Sequence, residues 1–254
     1  MGFTTRISSK DLQPLSEALL AINETQGMHE FTSVLFDKLS DLVTFSCATL
    51  VSVRDEGGRR AFQPEYAYNL TINEDAFFET MLRLAPGDYA QWALYQPKSS
   101  VFRETDIIND AVRESTEMYQ RVIKPTGCHY IIDVYSMRKG KPLAVMCIMR
   151  RREDGDYTHD ELEAIRFLEP HIALKMEKEL SREQGSHQRI VEETTALGLT
   201  SRELEVLFHV CEGLTNAEIA QRVFLSEHTV KKHLANIYRK AKVRNRTELV
   251  AKLQ

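Results

Sequence analysis

Apolar residues recur at helical spacing over 12–22 and again over 31–43. From Cys47 to Val53 that rhythm gives way to a short β-branched run. Asp55, Glu56, Gly57 and Gly58 follow closely, so the pattern predicts a strand ending in a turn. Helical spacing returns at Ala76–Leu84 and Ala111–Ile123. Tyr130–Met137 and Pro142–Met149 read as strands, with Arg138-Lys139-Gly140-Lys141 as the hairpin turn between them. Thr158-His159-Asp160-Glu161 has the form of a capping box. It opens a long helix through Leu162, Ile165, Leu168, Ile172 and Met176, which Pro170 is expected to bend. The pattern predicts an antiparallel sheet with helices packed on it.

The stretch Ser181–Arg189 is polar and contains Gly185, and beyond it the pattern is helical throughout. Three segments follow: a mixed domain over 1–180, a linker over 181–195 and an all-helical domain over 196–254. The fold class is α+β, an antiparallel-sheet α/β sandwich followed by a four-helix domain. Thr200-Ser201-Arg202-Glu203, Thr215-Asn216-Ala217-Glu218 and Asn245-Arg246-Thr247-Glu248 each read as a capping box, and Ser226 as a plain N-cap. Gly213 reads as a left-handed C-cap. Only Val223-Phe224-Leu225 separates the second of these helices from Ser226, the spacing of a helix-turn-helix.

On the third helix, Glu227–Ala241, Val230, Leu234, Ile237 and Ala241 fall on one stripe at 100° per residue, with Tyr238 at its border. His228, Lys232, Ala235 and Arg239 fall opposite, flanked by Thr229, Lys231, Asn236 and Lys240. That second face is cationic, hydrogen-bonding and short at Ala235, which suits a major groove of double-stranded DNA. The charge distribution agrees. The net charge is -4. Residues 196–254 nevertheless carry ten basic and six acidic side chains, and Ser226–Arg246 seven basic against the single acid Glu227.

Of the whole chain of 254 residues, 43% are hydrophobic and 28% charged, as in a soluble globular protein. The longest apolar run, Leu143–Met149, falls far short of the ~20 residues of a membrane span. No secretory signal is read at the start, so a cytoplasmic location is expected. Cys47, Cys128, Cys147 and Cys211 are scattered without a Cys-x-x-Cys pair, the usage of free thiols in a reducing compartment.

Leu199-Thr200-Ser201-Arg202-Glu203, Val206-Leu207, Gly213, Asn216-Ala217-Glu218-Ile219-Ala220, Ser226, Thr229-Val230-Lys231, His233 and Ile237 stand in one gapless order, completed by Lys240, Val243 and Arg246. This order resembles the LuxR-type helix-turn-helix family. The resemblance implies four helices, the third in the major groove and the fourth often used for dimerisation. It implies that Lys231 and Lys232 reach base edges or nearby phosphates, and that Thr229 and Lys240 hold the backbone. A homodimer on DNA is the expected assembly. Ala235 stands where some relatives carry a longer base-reading side chain, and His233 lies at the edge of the apolar stripe.

Residues 10–180 lack the features of a phospho-receiver domain: Asp55-Glu56 and Lys141-Pro142 imitate two of them, but Asp106 follows Val101-Phe102-Arg103-Glu104-Thr105, which does not read as a buried strand. The order of helices, hairpin and long helix instead resembles GAF-like or autoinducer-binding-like sensor domains. Trp92, Phe102–Asp106, the helix before Gly127 and Glu169-Pro170-His171 are the points of similarity. The Asp-Pro pair and Trp-x-x-x-Tyr spacing of acyl-homoserine-lactone receptors are missing, since Trp92 is followed by Tyr95. Tyr66, Tyr68, Phe77, Phe78, Tyr89 and Trp92 are the candidate lining of a small-molecule pocket. A domain that docks a protein partner instead remains the alternative. Cys128-His129 lacks further ligands at metal-site spacing, and no catalytic signature or cofactor loop is present, so neither a cofactor nor an enzyme is expected.

Overall fold

Alternation along a strand sends successive side chains to opposite faces, and in Tyr130–Arg138 almost every position is buried. That strand must therefore lie inside a sheet covered on both sides. The computed structural model describes residues 12–56, 59–195, 197–211, 213–223 and 225–253; the side chains of 55, 56, 59, 186–195 and 253 lie outside the description. The chain divides into two units, Met1–Glu179 and Leu180–Gln254.

The first unit contains α1 (Leu12–Glu24), α2 (Met28–Ser40), β1 (Cys47–Glu56), β2 (Arg59–Tyr68), α3 (Glu74–Leu84), β3 (Ser100–Arg103), α4 (Asp110–Ser115), β4 (Tyr130–Arg138), β5 (Lys141–Arg150) and the start of α5 (His159–Thr195). The strands form one sheet in the order β2-β1-β5-β4-β3, and every pairing is antiparallel. Lys139 and Gly140 close the β4–β5 hairpin, both at positive φ (52° and 73°), which twists a two-residue loop with the strands. On one face, Phe36 of α2 stacks on Tyr66 of β2, with ring centroids 5.8 Å apart. On that face too, Glu169 of α5 lies beside Ser136 of β4. The other face carries Ile131, Cys147 and Met149 against Phe77 and Phe78 of α3.

Four features depart from the sequence reading. The helix expected over Ala111–Ile123 is interrupted at Thr116, which turns extended (φ -71°, ψ 150°) and accepts a hydrogen bond from the Tyr119 N–H at 3.1 Å. A π-helical turn, Tyr119–Ile123, follows. Strand β2 contains Pro64, which an edge strand tolerates because its ladder is one-sided. The stretch not read as a strand contributes Ser100–Arg103 as the opposite edge, with Phe102 buried. Helix α5 continues through Pro170 and through the stretch 181–195 read as a linker. Gly57, Gly58 and Phe224, named in the predicted turns, lie outside the described residues. No helix among the described residues is long and apolar enough to cross a membrane.

The second unit holds α6 (Ser201–Cys211), α7 (Asn216–Arg222), α8 (Glu227–Ala241) and α9 (Arg246–Leu253). A 15-residue helix is marginal alone, so packing must hold α8. Val230, Leu234, Ile237 and Ala241 are all buried, together with Val206, Leu207, Val210, Ile219 and Leu249. Each large aliphatic among them contributes about 1.5–3 kcal/mol. At Asn245 the Glu248 carboxylate accepts from the Arg244 N–H instead of the cap N–H, but the other two expected capping boxes form: the Glu218 N–H donates to Thr215 Oγ1 (3.3 Å) and the Thr215 N–H to Glu218 Oε2 (2.6 Å). Thr200 and Glu203 are joined the same way, and the Thr229 N–H donates to Ser226 Oγ. At Gly213 (φ 86°), bonds from the Gly213 N–H to the Val210 carbonyl and from the Leu214 N–H to the His209 carbonyl close the helix end, a geometry that requires left-handed backbone.

Candidate nucleic-acid interface and sensor cavity

In the second unit, burial of the α8 stripe turns the opposite face outward. His228, Lys231, Lys232, Ala235 and Arg239 are exposed, while Thr229, Asn236 and Lys240 are half-buried. Lys231 pairs with Glu227 at 2.9 Å, an exposed contact that competes weakly with other anions. Arg239 reaches Asn236 Oδ1 at 3.4 Å, and the hydroxyls of Thr229 and Ser226 lie 2.8 Å apart. Neither Lys232 nor His228 has a partner among the described residues.

Lys240 is different. Its ammonium donates to Glu203 Oε2 at 2.6 Å and to the Gly198 carbonyl at 2.9 Å. Burial works against the Glu203 charge, yet the Lys240 and Thr200 donors hold it below the usual carboxylate range. The backbone-holding role that the resemblance gave Lys240 thus competes with a bond inside its own unit. Arg246 is likewise internal, donating to the carbonyls of Val210 (3.0 Å) and Leu214 (2.5 Å). The sequence showed these residues in the family order, but nothing in a helical pattern signals a bond across 37 residues. Leu249 of α9 is fully buried in the unit's own core, and Val250 packs against it. The Leu253 side chain is outside the description.

In the first unit, a cavity opens on the α3 face of the sheet and holds about 770 Å³, its open mouth included. Apolar side chains such as Phe77, Met81, Ile123 and Ile131 form most of the wall, with Asp88, Glu104 and Asp133 among them. Of the six aromatic residues expected to line a pocket, Phe77 does so. Phe78 packs edge-on against it, 5.4 Å away, in the surrounding core. Tyr66 and Tyr68 are turned away, and a bulge explains why. Val51 pairs with Pro64 but Leu50 with Tyr66, so Glu65 is the extra residue and the parity of β2 inverts there. Phe62 and Ala67 consequently share the cavity side, while Tyr66 and Tyr68 pack on Phe36. Trp92, 45% exposed, stacks on Phe102 outside the cavity, and Tyr89 packs in a neighbouring cluster with Phe102 and Tyr135.

Behind the cavity, Arg113 is completely buried. It donates to Glu104 Oε2 (3.0 Å), Asp110 Oδ1 (3.0 Å) and the His129 carbonyl (2.5 Å). Asp110, Glu114 and His129 converge closely enough to suggest a metal site. The guanidinium groups of Arg113 and Arg152 each lie 3.0 Å from a His129 ring nitrogen, however, and already occupy that ring. Burial and these two positive charges hold His129 below its ordinary pKa, so the cluster is a hydrogen-bonded knot poorly suited to a cation. Next to it, Cys128 Sγ lies 3.6 Å from Cys47 Sγ, both buried. The Cys47 thiol is the main cause that lowers Cys128 to about 7.

Residues 197–253 match the family described as bacterial regulatory proteins of the luxR family. The chain is 35% identical over 99 residues to the probable csgAB operon transcriptional regulatory protein of Salmonella typhimurium, covering 39% of this chain and 45% of that one. It is 40% identical over 83 residues to the transcriptional regulatory protein LnrK of Bacillus subtilis, covering 32% and 38%. The chain thus spans less than half the length of these relatives. A crystal structure of Escherichia coli SdiA superposes with a TM-score of 0.49 at 17% identity, over 94% of this chain and 95% of that one. With its capped helices and buried α8 stripe, the C-terminal domain of this chain, residues 197–253, belongs to the luxR family of bacterial regulatory proteins.

Proposed function

We propose that the protein is a transcription regulator that reads double-stranded DNA with α8 and is controlled by a small molecule held in the cavity of the first unit. The outward face of α8 carries this reading. His228, Lys232 and Arg239 surround the short Ala235, so donors and positive charge can enter a major groove while the backbone approaches closely. The names of the relatives, both regulators of transcription, support it. The protein is no enzyme in this reading, works in the cytoplasm where its DNA is, and acts as a homodimer on paired half-sites. With Leu249 committed to its own core, the dimer contact falls on α5, where Phe167 and Leu174 are exposed on one stripe, about two turns apart.

Enrichment of random duplexes on the full chain, followed by gel shift across salt, tests the DNA half. A recovered site whose preference is lost on combined alanine substitution of His228, Lys232 and Arg239 supports it. Binding that is equal for all duplexes overturns it. For the sensor half, native mass spectrometry of the purified chain should show a small molecule released on unfolding. A protein partner retained in its place would mean that the first unit is a docking module.

A further inference from the structure

The cavity of the first unit is apolar along its walls and electron-rich at its floor. Alternation along β4 and β5 brings Ile131, Asp133, Cys147 and Met149 to it, so one carboxylate stands in an otherwise apolar row. Asp133 is 4% exposed. Beyond the weak thiol donor of Cys147 facing it, no N–H or O–H among the described residues donates to it. Glu104 has Arg113, and Asp88 accepts from the Ala90 N–H at 2.7 Å. The Arg113 guanidinium is thus shared between Glu104 and Asp110, and among the described residues Asp133 has no ion-pair partner of its own. A buried carboxylate in that condition is costly unless something arrives to pair with it.

We propose that the cavity takes an organic cation: a protonated amine, or a similar N–H⁺ head, donating to Asp133, with an apolar body along Phe77, Met81 and Ile123. The inference rests on reading the first unit as a small-molecule sensor. A metal ion does not suit the same floor. Among the described residues only Asp110, Glu114 and His129 approach within metal-binding reach, and they lie in the Arg113 knot. A neutral amide or hydroxyl can bond the protonated Asp133 but lacks the charge that an ionised Asp133 would pair with. An anion would meet the charges of the neighbouring carboxylates unfavourably.

The proposal has a protonic signature. Burial, then the neighbouring Glu104 and Asp88 charges, push Asp133 well above the usual carboxylate range, with Cys147 and Arg113 opposing. Burial raises Tyr135, which shares this face, so it stays neutral. An ammonium that draws Asp133 into its charged form therefore expels a proton. Affinity should rise with pH until the amine itself deprotonates.

Hexylammonium, 1-hexanol and hexanoate differ only in the head, and titration calorimetry of the full unsubstituted chain at neutral pH compares them. Hexylammonium should bind about tenfold or more tightly than hexanol, as a charge-assisted bond requires, and hexanoate most weakly. Repeating the titration in two buffers of different ionisation enthalpy should show proton release with hexylammonium alone. Asp133→Asn, checked for folding by its melting curve, should bring amine and alcohol to near parity. Hexanol or hexanoate binding as tightly as the amine would overturn the cationic class and leave the sensor reading intact. Binding of none of the three would overturn both, since the cavity would then be ordinary core.

Discussion

Lys240 Nζ lies 2.6 Å from Glu203 Oε2 and thereby ties the last turn of α8 to the first turn of α6. The same carboxylate oxygen receives the Thr200 N–H at 2.8 Å and the Thr200 hydroxyl at 3.0 Å. Glu203 is 4% exposed, so one helix cap and the placement of α8 depend on a single, well-satisfied buried charge.

Removing the cation should therefore be read first as a loss of stability. Lys240→Met leaves Glu203 with its cap donors only, at an expected cost of about 1–3 kcal/mol to the second unit. Hydrogen exchange of α6 and α8 amides in the full chain measures this. A simple phosphate contact would behave otherwise, leaving exchange unchanged and reducing the salt slope of DNA binding by about one.

The same pair sets an acid limit. Glu203 and Glu218 both titrate below the usual carboxylate range, Glu203 through Lys240 and Thr200 against the opposing effect of burial, Glu218 through Thr215. A depressed folded pKa contributes stability that is complete above the unfolded value, near 4.3, and is lost as pH falls through the folded value. Protection of the α6 and α7 amides should hold between neutrality and about pH 5 and decline below it. Glu203→Gln should lower the plateau and flatten the decline. A decline that begins near neutrality would point to a histidine instead.

The capped helices of the second unit were legible because caps and apolar stripes are local: Thr215 and Glu218 stand three apart, and Val230, Leu234, Ile237 and Ala241 share one face. The cavity was less so. Tyr66 and Tyr68 carry the right chemistry for a pocket, but the extra residue Glu65 reverses their face, and a bulge leaves no periodic trace in ten residues. Asp133 gives no such local signal, because its burial depends on packing against α3 and the turn Tyr119–Ile123.

Lys232 separates base reading from simple charge. It is exposed and without an internal partner, so Lys232→Ala should leave stability within about 0.5 kcal/mol. On the preferred duplex it should cost about 1–3 kcal/mol and relax preference at one position. Competition gel shifts against single-base variants of that site give the answer. Equal losses on every variant would place Lys232 at a phosphate.

Lys242 ends α8 in the left-handed region at φ 54°, where its N–H donates to the Arg239 carbonyl. The Val243 N–H donates to the Tyr238 carbonyl beside it. A side chain there strains the backbone by about 1–2 kcal/mol, partly offset in the unfolded chain, which glycine makes more flexible. Lys242→Gly should accordingly raise stability by about 0.5–1 kcal/mol in urea unfolding. Lys242→Val should lower it. If both substitutions destabilise, the lysine contributes through its charge at the helix end rather than suffering from its conformation.

Arg113 offers the largest predicted loss and a test of what the buried charge is for. Its guanidinium is fully enclosed and meets Glu104, Asp110 and the His129 carbonyl. Arg113→Met keeps much of the apolar stem and strands Glu104, at an expected cost of about 3–5 kcal/mol. Burial already raises Glu104 above the usual carboxylate range, with Tyr89 and Arg113 opposing, and loss of Arg113 raises it further. A raised folded pKa means that the penalty is absent below the unfolded value and grows as pH rises toward the folded one. The deficit of the variant should therefore be small near pH 4 and largest at neutrality and above. Arg113→Met combined with Glu104→Gln removes the stranded charge and should recover part of the loss at neutral pH, with little pH dependence left. If the double variant is no more stable than the single one, the lost donor to the His129 carbonyl outweighs the ion pair. Arg113 would then matter chiefly as a clasp between α4 and the start of β4.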